Sequence, residues 1–254
     1  MCLSSKYASI AAFLTSMLSA IIGMGGGITL LGVMAIIMPE GYLVVAYHGI
    51  IQLVSNVTRL TVYRQHIDTK IVKKYFLGII PGLIFAALII YFLMQFYKVS
   101  SADQIQIDYL KPLIGIYIIW FLYIRKKGKS VSEHAFLWMG GLSGLATVFV
   151  GAAGPLIAPL FINSNLKKYS IIATKAVCQA LGHFGKIPIF IFLFNVNYIT
   201  DWEIILPLVI SVYFGTKFGK KMLGKLPEAT FQILFKFALT LIAIRLIAVE
   251  LINY

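Results

Sequence analysis

The sequence predicts an all-α, polytopic membrane protein built from two inverted repeats. Each repeat would be a glycine-broken helical hairpin followed by three transmembrane helices. Hydrophobic residues make up 60% of the 254 residues, charged residues make up only 12%, and the mean hydropathy is +0.90, far from the values of soluble domains. Six apolar runs approach or reach the ~20 residues that a membrane helix needs. They are 43–63, 75–97, 108–124, 170–195, 203–216 and 228–249, and two further apolar stretches, 7–38 and 135–162, are broken by glycine clusters.

No polar segment is long enough to form a soluble domain. We therefore expect residues 1–254 to form a single integral membrane domain, with repeat 1 at about 7–125 and repeat 2 at about 134–250. The net charge of +13 does not indicate nucleic-acid binding, because the basic residues are divided among short loops. Two cysteines give neither a disulfide framework nor metal-ligand spacing, and no cofactor motif is present.

The distribution of Lys and Arg predicts the orientation in the membrane. Fourteen of these residues lie in four segments, 64–74, 125–133, 163–169 and 217–225. Cytoplasmic loops of membrane proteins carry an excess of Lys and Arg. We therefore expect a multi-pass protein of the cytoplasmic membrane with these loops on the cytoplasmic side and both termini outside.

This orientation constrains the two broken stretches. Because loop 125–133 is expected inside and loop 196–202 outside, residues 134–195 must cross the membrane an odd number of times. The stretch 170–195 crosses once, so 135–162 must enter and return on the cytoplasmic side as a short or re-entrant hairpin. By the same argument, 7–38 forms a hairpin entered from outside, which gives the two halves opposite orientations. The alternative, eight simple spans in two parallel halves, would place one cluster of four cations outside.

The two halves also repeat a pattern of polar residues. The glycine cluster of residues 23–27 corresponds to Gly151-Ala152-Ala153-Gly154-Pro155. In the spans that follow, the corresponding pairs are His48 with Lys175, Gln52 with Gln179, Asn56 with His183 and Arg59 with Lys186. Within each span these positions are separated by four, four and three residues, which places them on one face of a helix.

The broken segments have a chemistry suited to an anion. Glycine breaks a helix and lets backbone groups approach closely, and new helices are expected to start at about Ile28 and Pro155. The free N–H groups and the positive dipole end of such a start bind anions. The predicted site residues are Gly25, Gly26 and Gly27 in the first break and Gly154 and Pro155 in the second. The alternative is that these glycines only allow close helix packing.

The polar stripes supply the remaining site residues. Five basic residues lie inside apolar stretches, where a charge costs ~2.5–3.5 kcal/mol on insertion scales, and no Asp or Glu lies clearly inside one. A bound anion is therefore the expected source of negative charge. The predicted binding residues are His48, Gln52, Asn56, Arg59, Lys175, Gln179, His183 and Lys186. For Arg59 and Lys175, snorkelling to the interface is the alternative. The histidines are either proton-coupling groups or structural hydrogen-bonding residues.

These residues also carry a family resemblance. The cluster at 23–27, Ala46-Tyr47-His48-Gly49 with Gln52, Ser55-Asn56 and Arg59, and Ile67-Asp68 resemble the sulfite exporter TauE/SafE family. In the second half, Gly151, Gly154-Pro155, Pro159, Ala173-Thr174, Gln179, His183 and Lys186 match as well. The resemblance implies a membrane transporter for sulfite, organosulfonates or related sulfur oxyanions, usually acting in export.

The leading functional hypothesis is therefore a secondary transporter that exports a small sulfur-containing oxyanion. A passive anion channel is the main alternative, because the same cationic lining would serve a pore. A membrane-embedded enzyme is the less favoured one, because the spans offer no carboxylate to a catalytic site. The expected partners are the anion and membrane lipid, and a homodimer is compatible with the sequence.

Overall fold

The computed structural model describes residues 2–23, 25–38, 41–102, 110–124, 132–162 and 164–252. Within these residues the chain forms α-helices and no strand. The helices are α1 (Cys2–Ile22), α2 (Gly26–Ile37), α3 (Gly41–Val62), α4 (Thr69–Tyr97), α5 (Leu110–Ile119), α6 (Glu133–Phe149), α7 (Gly154–Ile162), α8 (Lys168–Leu193), α9 (Trp202–Leu223) and α10 (Glu228–Ile252). A 3₁₀ turn at Arg64–His66 follows α3, and a π-helical turn at Trp120–Ile124 follows α5. The basic residues of the loop 125–133, which was predicted to be cytoplasmic, lie within 125–131, outside the described part of the chain.

Several charged groups are buried beside an apolar core, and many large apolar side chains are exposed, unlike in a soluble domain. Arg59, Lys175 and Lys186 are buried, whereas large apolar side chains such as Phe92 and Phe192 are exposed. In the described residues, α4, α8 and α9 are long and apolar enough to cross a membrane. Helix α3 has the length, 22 residues, but its polar stripe lowers its mean hydropathy. The expected all-helical membrane protein is confirmed at this level.

Glycine breaks divide each predicted hairpin into two helices of unequal length. Helix α1 has 21 residues and α2 has 12, while α6 has 17 and α7 has nine. At 1.5 Å per residue, nine residues extend for ~14 Å, less than half the thickness of a bilayer core. The second arms are therefore short, as expected, but α1 is long enough to cross. The new helices begin at Gly26 and Gly154, slightly before the expected positions.

Close glycine contacts join α4 to α6 and α9 to α1. Two glycines four residues apart on α4 lie against backbone carbonyls of α6, and two with the same spacing on α9 lie against backbone carbonyls of α1. A side chain at any of these four glycines would overlap the facing carbonyl. The contacts pair Gly78 with Leu137, Gly82 with Gly141, Gly215 with Phe13 and Gly219 with Met17. Small residues at this spacing let membrane helices approach closely.

Aromatic contacts identify which segments share each end of the molecule. At one end, the Tyr169 ring lies 5.8 Å from the Tyr63 ring and 5.3 Å from the His66 ring, and the Lys220 ammonium lies 5.7 Å from the Tyr63 ring. At the other end, the Tyr42 ring lies 6.4 Å from the Phe194 ring. The start of α3 therefore lies beside the end of α8, and the two helices run antiparallel. Basic segments 64–74, 164–169 and 217–225 meet at the first end, which we call the basic end.

Two adjacent glycines of α6 offer a matched test of this packing. A Cβ added at Gly140 would overlap the Tyr75 carbonyl, whereas one at Gly141 would lie 3.6 Å from the Gly78 carbonyl, an ordinary contact. We expect Gly140→Ala to lower stability by about 1–3 kcal/mol, the usual cost of overpacking. Gly141→Ala should be neutral. Thermal unfolding of both variants in detergent checks this, and equal melting temperatures would contradict the packing described.

Candidate functional site

Helices α3 and α8 form the centre of the molecule and bury their polar faces against each other. On α3, His48, Gln52, Asn56 and Arg59 are all buried. On α8, Lys175, His183 and Lys186 are buried and Gln179 is half-buried. The four-four-three spacing places each set on one helical face, and the antiparallel packing brings the two faces together.

A small cavity lies between these faces and the two glycine breaks. Its volume is about 20 Å³, enough for a bound water or a small ion. The start of α2 and the start of α7 both border it. The lining residues are Ser19, Gly25, Gly27, Ile28, His48, Gln52, Arg59, Ala152, Gly154, Pro155, Lys175, Gln179 and His183. No acidic residue is among them, so the described part of the chain lines this cavity with cations and neutral groups only.

Two lysines of α8 bind the backbone at the two glycine breaks. Gly23 and Gly151 end α1 and α6 with φ angles of +81° and +86°, in the region that favours glycine. The Lys175 ammonium donates to the Gly23 carbonyl at 2.9 Å. The Lys186 ammonium donates to the carbonyls of Gly151 and Val45, both at 3.0 Å. Each lysine therefore satisfies a carbonyl that has no partner within its own helix.

Arg59 is held by three neutral acceptors. Its Nη1 donates to the Ser19 hydroxyl at 2.9 Å, its Nη2 to Asn56 Oδ1 at 2.7 Å and its Nε to the Ser55 carbonyl at 3.4 Å. The side chain is only 2% exposed, so it does not snorkel to the interface. A guanidinium has five N–H groups, and two of them remain for a ligand.

The two glutamines lie against the starts of the short helices. Gln52 Oε1 lies 3.2 Å from the position that a Cβ would take at Gly27, and the Gln179 amide nitrogen occupies the corresponding position at Gly154. A side chain at Gly154 would displace the Gln179 amide, and one at Gly27 would press against the Gln52 amide. The Gln179 Oε1 atom is buried without a hydrogen-bond partner.

The two histidines face each other across the α3–α8 contact. Their rings are 5.6 Å apart in an edge-to-face arrangement. His48 Nε2 lies 2.8 Å from the Gly27 carbonyl, so this nitrogen carries the proton. The Nδ1 atoms of both rings are buried without partners. His48 thereby connects α3 to the first turn of α2, beside the cavity.

A comparison with protein families matches this chain to a known transporter family. The model of the sulfite exporter TauE/SafE family matches residues 8–246, nearly the whole chain. The chain belongs to the TauE/SafE family. Membership implies membrane transport of sulfite or a related anion. Comparison with curated proteins gives no match, and comparison with solved structures gives none either.

In this TauE/SafE protein, ten of the thirteen predicted site residues line the central cavity. The other three lie beside it. Gly26 packs against the Thr15 carbonyl and Ser19, Asn56 positions Arg59, and Lys186 binds the Gly151 carbonyl. That these residues bind substrate remains a prediction. The sequence prediction omitted Ser19, although its position one helical turn before Gly23, in an apolar helix, is a signal for it.

The structure refines the explanation of the buried cations. They were expected to depend on a bound anion for negative charge, but Lys175 and Lys186 have carbonyl partners and Arg59 has neutral oxygen partners. None of the three forms an ion pair with a carboxylate in the described residues. Helix C-terminal carbonyls therefore supply part of the compensation, while the net positive charge at the cavity is not neutralised by an acidic side chain.

The Arg59 network predicts the effect of removing one acceptor. Asn56→Leu keeps a similar volume but leaves an Nη2 donor without its partner, which costs ~1–3 kcal/mol for a buried group. Thermal unfolding in detergent should show this loss. Thr61→Val is the matched control, because Thr61 is exposed on the same helix and its hydroxyl donates only to the Thr58 carbonyl. Equal stability of the two variants would contradict the proposed importance of the network.

Proposed function

We propose that this protein is a secondary transporter that moves a small sulfur-containing oxyanion, such as sulfite or an organosulfonate, across the cytoplasmic membrane in the direction of export. One observation carries the proposal. The N-termini of α2 and α7 converge with Arg59 and Lys175 on one cavity whose lining contains no acidic residue. A site of this kind attracts an anion and disfavours a cation.

The hydrogen-bond donors around the cavity support an oxyanion. Helix starts leave their first N–H groups unpaired, and no side chain caps the start of α2 at Gly25. Lys175 uses one of its three N–H groups on Gly23, and Arg59 keeps two of its five. A cation and an anion ~4 Å apart attract by ~4 kcal/mol at an effective dielectric constant of 20. Two such cations therefore offset much of the desolvation of a small anion.

The size of the cavity favours a compact substrate. A volume of about 20 Å³ suits sulfite better than a sulfonate with a long organic chain. The oxygens of a pyramidal ion point in different directions, so one ion can accept hydrogen bonds from both helix starts at once. Family membership independently supports a sulfur oxyanion.

The helix packing supports two inverted repeats of five helices each, α1–α5 and α6–α10. When each helix is replaced by its counterpart in the other half, the α4–α6 contact becomes the α9–α1 contact. The α3–α8 and α5–α10 contacts are unchanged by this replacement. The glycine contacts follow the same exchange, since Gly78 and Gly82 on α4 correspond to Gly215 and Gly219 on α9. Corresponding helices α3 and α8 run in opposite directions. Transporters with this plan bind substrate where the broken helices meet.

The two ends of the molecule support export from the basic end. By the rule that cytoplasmic loops are rich in Lys and Arg, the basic end faces the cytoplasm. The opposite end is covered by aromatic residues, with the Phe190 and Phe194 rings stacked 4.4 Å apart. There Tyr47 also donates to the Asp201 carboxylate at 2.5 Å. The outer end would then be the closed side of the pathway.

The central site can be tested by removing one charge. Lys175→Gln removes the cation and keeps an N–H donor for the Gly23 carbonyl. We expect the initial rate of sulfite flux into proteoliposomes to fall at least tenfold, a loss of at least ~1.4 kcal/mol. Sulfite should raise the melting temperature of the unsubstituted protein more than that of the variant, which lacks the central cation. Lys217→Gln, an exposed cation of α9, should behave as the unsubstituted protein.

Retained flux in Lys175→Gln would exclude the proposed site. The dependence of flux on sulfite concentration separates the two functional hypotheses: a transporter saturates, whereas a passive pore gives a rate that rises in proportion to concentration.

The orientation can be tested by cysteine labelling. Ile199 is 82% exposed in the loop between α8 and α9, and Lys225 is exposed after α9 at the basic end. In a protein lacking Cys2 and Cys178, Ile199→Cys should react with a membrane-impermeant maleimide added outside intact cells. Lys225→Cys should react only after the cells are opened. The reverse pattern would overturn the proposed orientation.

A further inference from the structure

A second, larger cavity opens at the basic end. Its volume is about 460 Å³, and it lies between the segment after α3, the start of α8 and the end of α9. The side chains that define its chemistry are Tyr63, Arg64, His66, Tyr169 and Lys220. It shares no lining residue with the central cavity, so it is a separate space.

This cavity is cationic. Arg64 and Lys220 bring two positive charges to its wall, and none of the described residues that line it is acidic. The nearest carboxylate along the chain, Asp68, accepts hydrogen bonds from the backbone N–H groups of Lys70 and Ile71 at the start of α4. That carboxylate is therefore engaged as a helix cap and does not pair with Arg64 or Lys220.

A buried tyrosine in the cavity wall lacks a hydrogen-bond partner. Tyr63 is only 4% exposed, yet its hydroxyl has no partner in the structure. Its ring is fixed between the Tyr169 ring at 5.8 Å and the Lys220 ammonium at 5.7 Å. A buried hydroxyl without a partner costs ~1–3 kcal/mol. An oxyanion held by Arg64 and Lys220 would accept the hydrogen bond and remove this cost.

Tyr63 also connects the two cavities. Its backbone N–H donates to the Arg59 carbonyl at 3.0 Å, so it lies one helical turn from Arg59, which lines the central cavity. Tyr63 lines the larger cavity and Arg59 lines the central one, so along α3 the two cavities are about one helical turn apart. Four hydrogen-bond donors thus follow one another from the basic end to the centre: Lys220, Arg64, Tyr63 and Arg59.

We propose that the cavity at the basic end is an entry site, which binds the transported oxyanion before it passes Tyr63 and Arg59 to the central cavity. This inference rests on the proposed function for the identity of the ion. The ligand is a sulfite-type oxyanion with several oxygen acceptors. The phosphate of an anionic lipid headgroup has similar chemistry, and the volume of about 460 Å³ leaves space for either the headgroup or a hydrated ion.

Binding to the entry site can be measured without transport. In the Lys175→Gln protein the central site is impaired, so calorimetric titration with sulfite in nanodiscs of phosphatidylcholine reports on the second site. We expect saturable binding there, weakened at least tenfold by adding Arg64→Gln and Lys220→Gln. Adding Lys221→Gln and Lys225→Gln instead removes the same charge from exposed residues outside the cavity wall and should leave binding unchanged.

Tyr63→Phe gives a second test with little risk to the fold, because it removes only the unpaired hydroxyl. It should weaken sulfite binding several-fold without lowering the melting temperature. Absence of sulfite binding in the Lys175→Gln protein, or equal binding after the two double substitutions, would overturn the proposal. Binding of phosphatidylglycerol in place of sulfite would overturn it as well and would assign the cavity to lipid.

Flux measurements distinguish a failure of the proposed entry site from a failure of the proposed transport function. With sulfite supplied at the basic end, Arg64→Gln with Lys220→Gln should raise KM at least fivefold, and with sulfite supplied at the opposite end KM should stay unchanged. An equal rise from both ends would contradict an entry role. If the unsubstituted protein carries no sulfite but the calorimetric results hold, the proposed function fails while the anion site stands.

Discussion

The hydrogen bonds from the lysines of α8 to the glycine-break carbonyls are the interaction on which the rest of the structure depends. In hydrocarbon, a backbone group without a partner costs several kcal/mol, and a broken helix leaves such groups at its end. Lys175 and Lys186 satisfy the carbonyls of Gly23 and Gly151. The negative dipole ends of α1 and α6 in turn offset part of the cost of burying the ammonium groups. Neither the breaks nor the buried lysines would be stable alone.

These hydrogen bonds also determine that the charge facing the central cavity is positive. Each break contains two helix ends of opposite polarity, the C-terminal end of a long helix and the N-terminal end of a short one. The lysines occupy the negative ends, so the positive ends, at Gly25 and Gly154, remain for the cavity. Arg59 adds a further cation whose partners are all neutral. An anion is thus favoured even though every cation has hydrogen-bond partners within the protein.

The sequence predicted the features that depend on local periodicity. The spacing of His48, Gln52, Asn56 and Arg59 places them on one face of α3 whatever surrounds the helix, and the duplicated spacing does the same on α8. That the two faces meet was not predicted. The glycine clusters predicted the breaks to within about two residues. The contacts of Lys186 were not predictable in this way, because its choice between the cavity and the Gly151 carbonyl depends on where α6 ends in space.

Glycine contacts between helices were also missed. Gly78, Gly82, Gly215 and Gly219 occur in ordinary apolar sequence, and glycine is frequent in membrane helices for several reasons. Only the position of the facing carbonyl shows which glycines are required, as the different surroundings of Gly140 and Gly141 demonstrate. The length of α1 was not predicted for a related reason, since a glycine cluster marks where a helix ends but not how far it extends before the break.

Helices α3 and α8 each hydrogen-bond to the start of another long helix, but they do so with different side chains, and this difference bears on the proposed change of state. Thr174 of α8 accepts from the backbone N–H of Asp68 at the start of α4, whereas Tyr47 of α3 donates to the carboxylate of Asp201 at the start of α9. Tyr47 and Thr174 directly precede His48 and Lys175, which correspond in the two polar stripes. The corresponding connection is therefore made by an aromatic side chain at the end opposite the basic end and by a small one at the basic end. Under the proposed inverted-repeat plan, an exchange of packing between the halves opens one end as it closes the other. Unequal side chains at corresponding positions would then give the two states different energies.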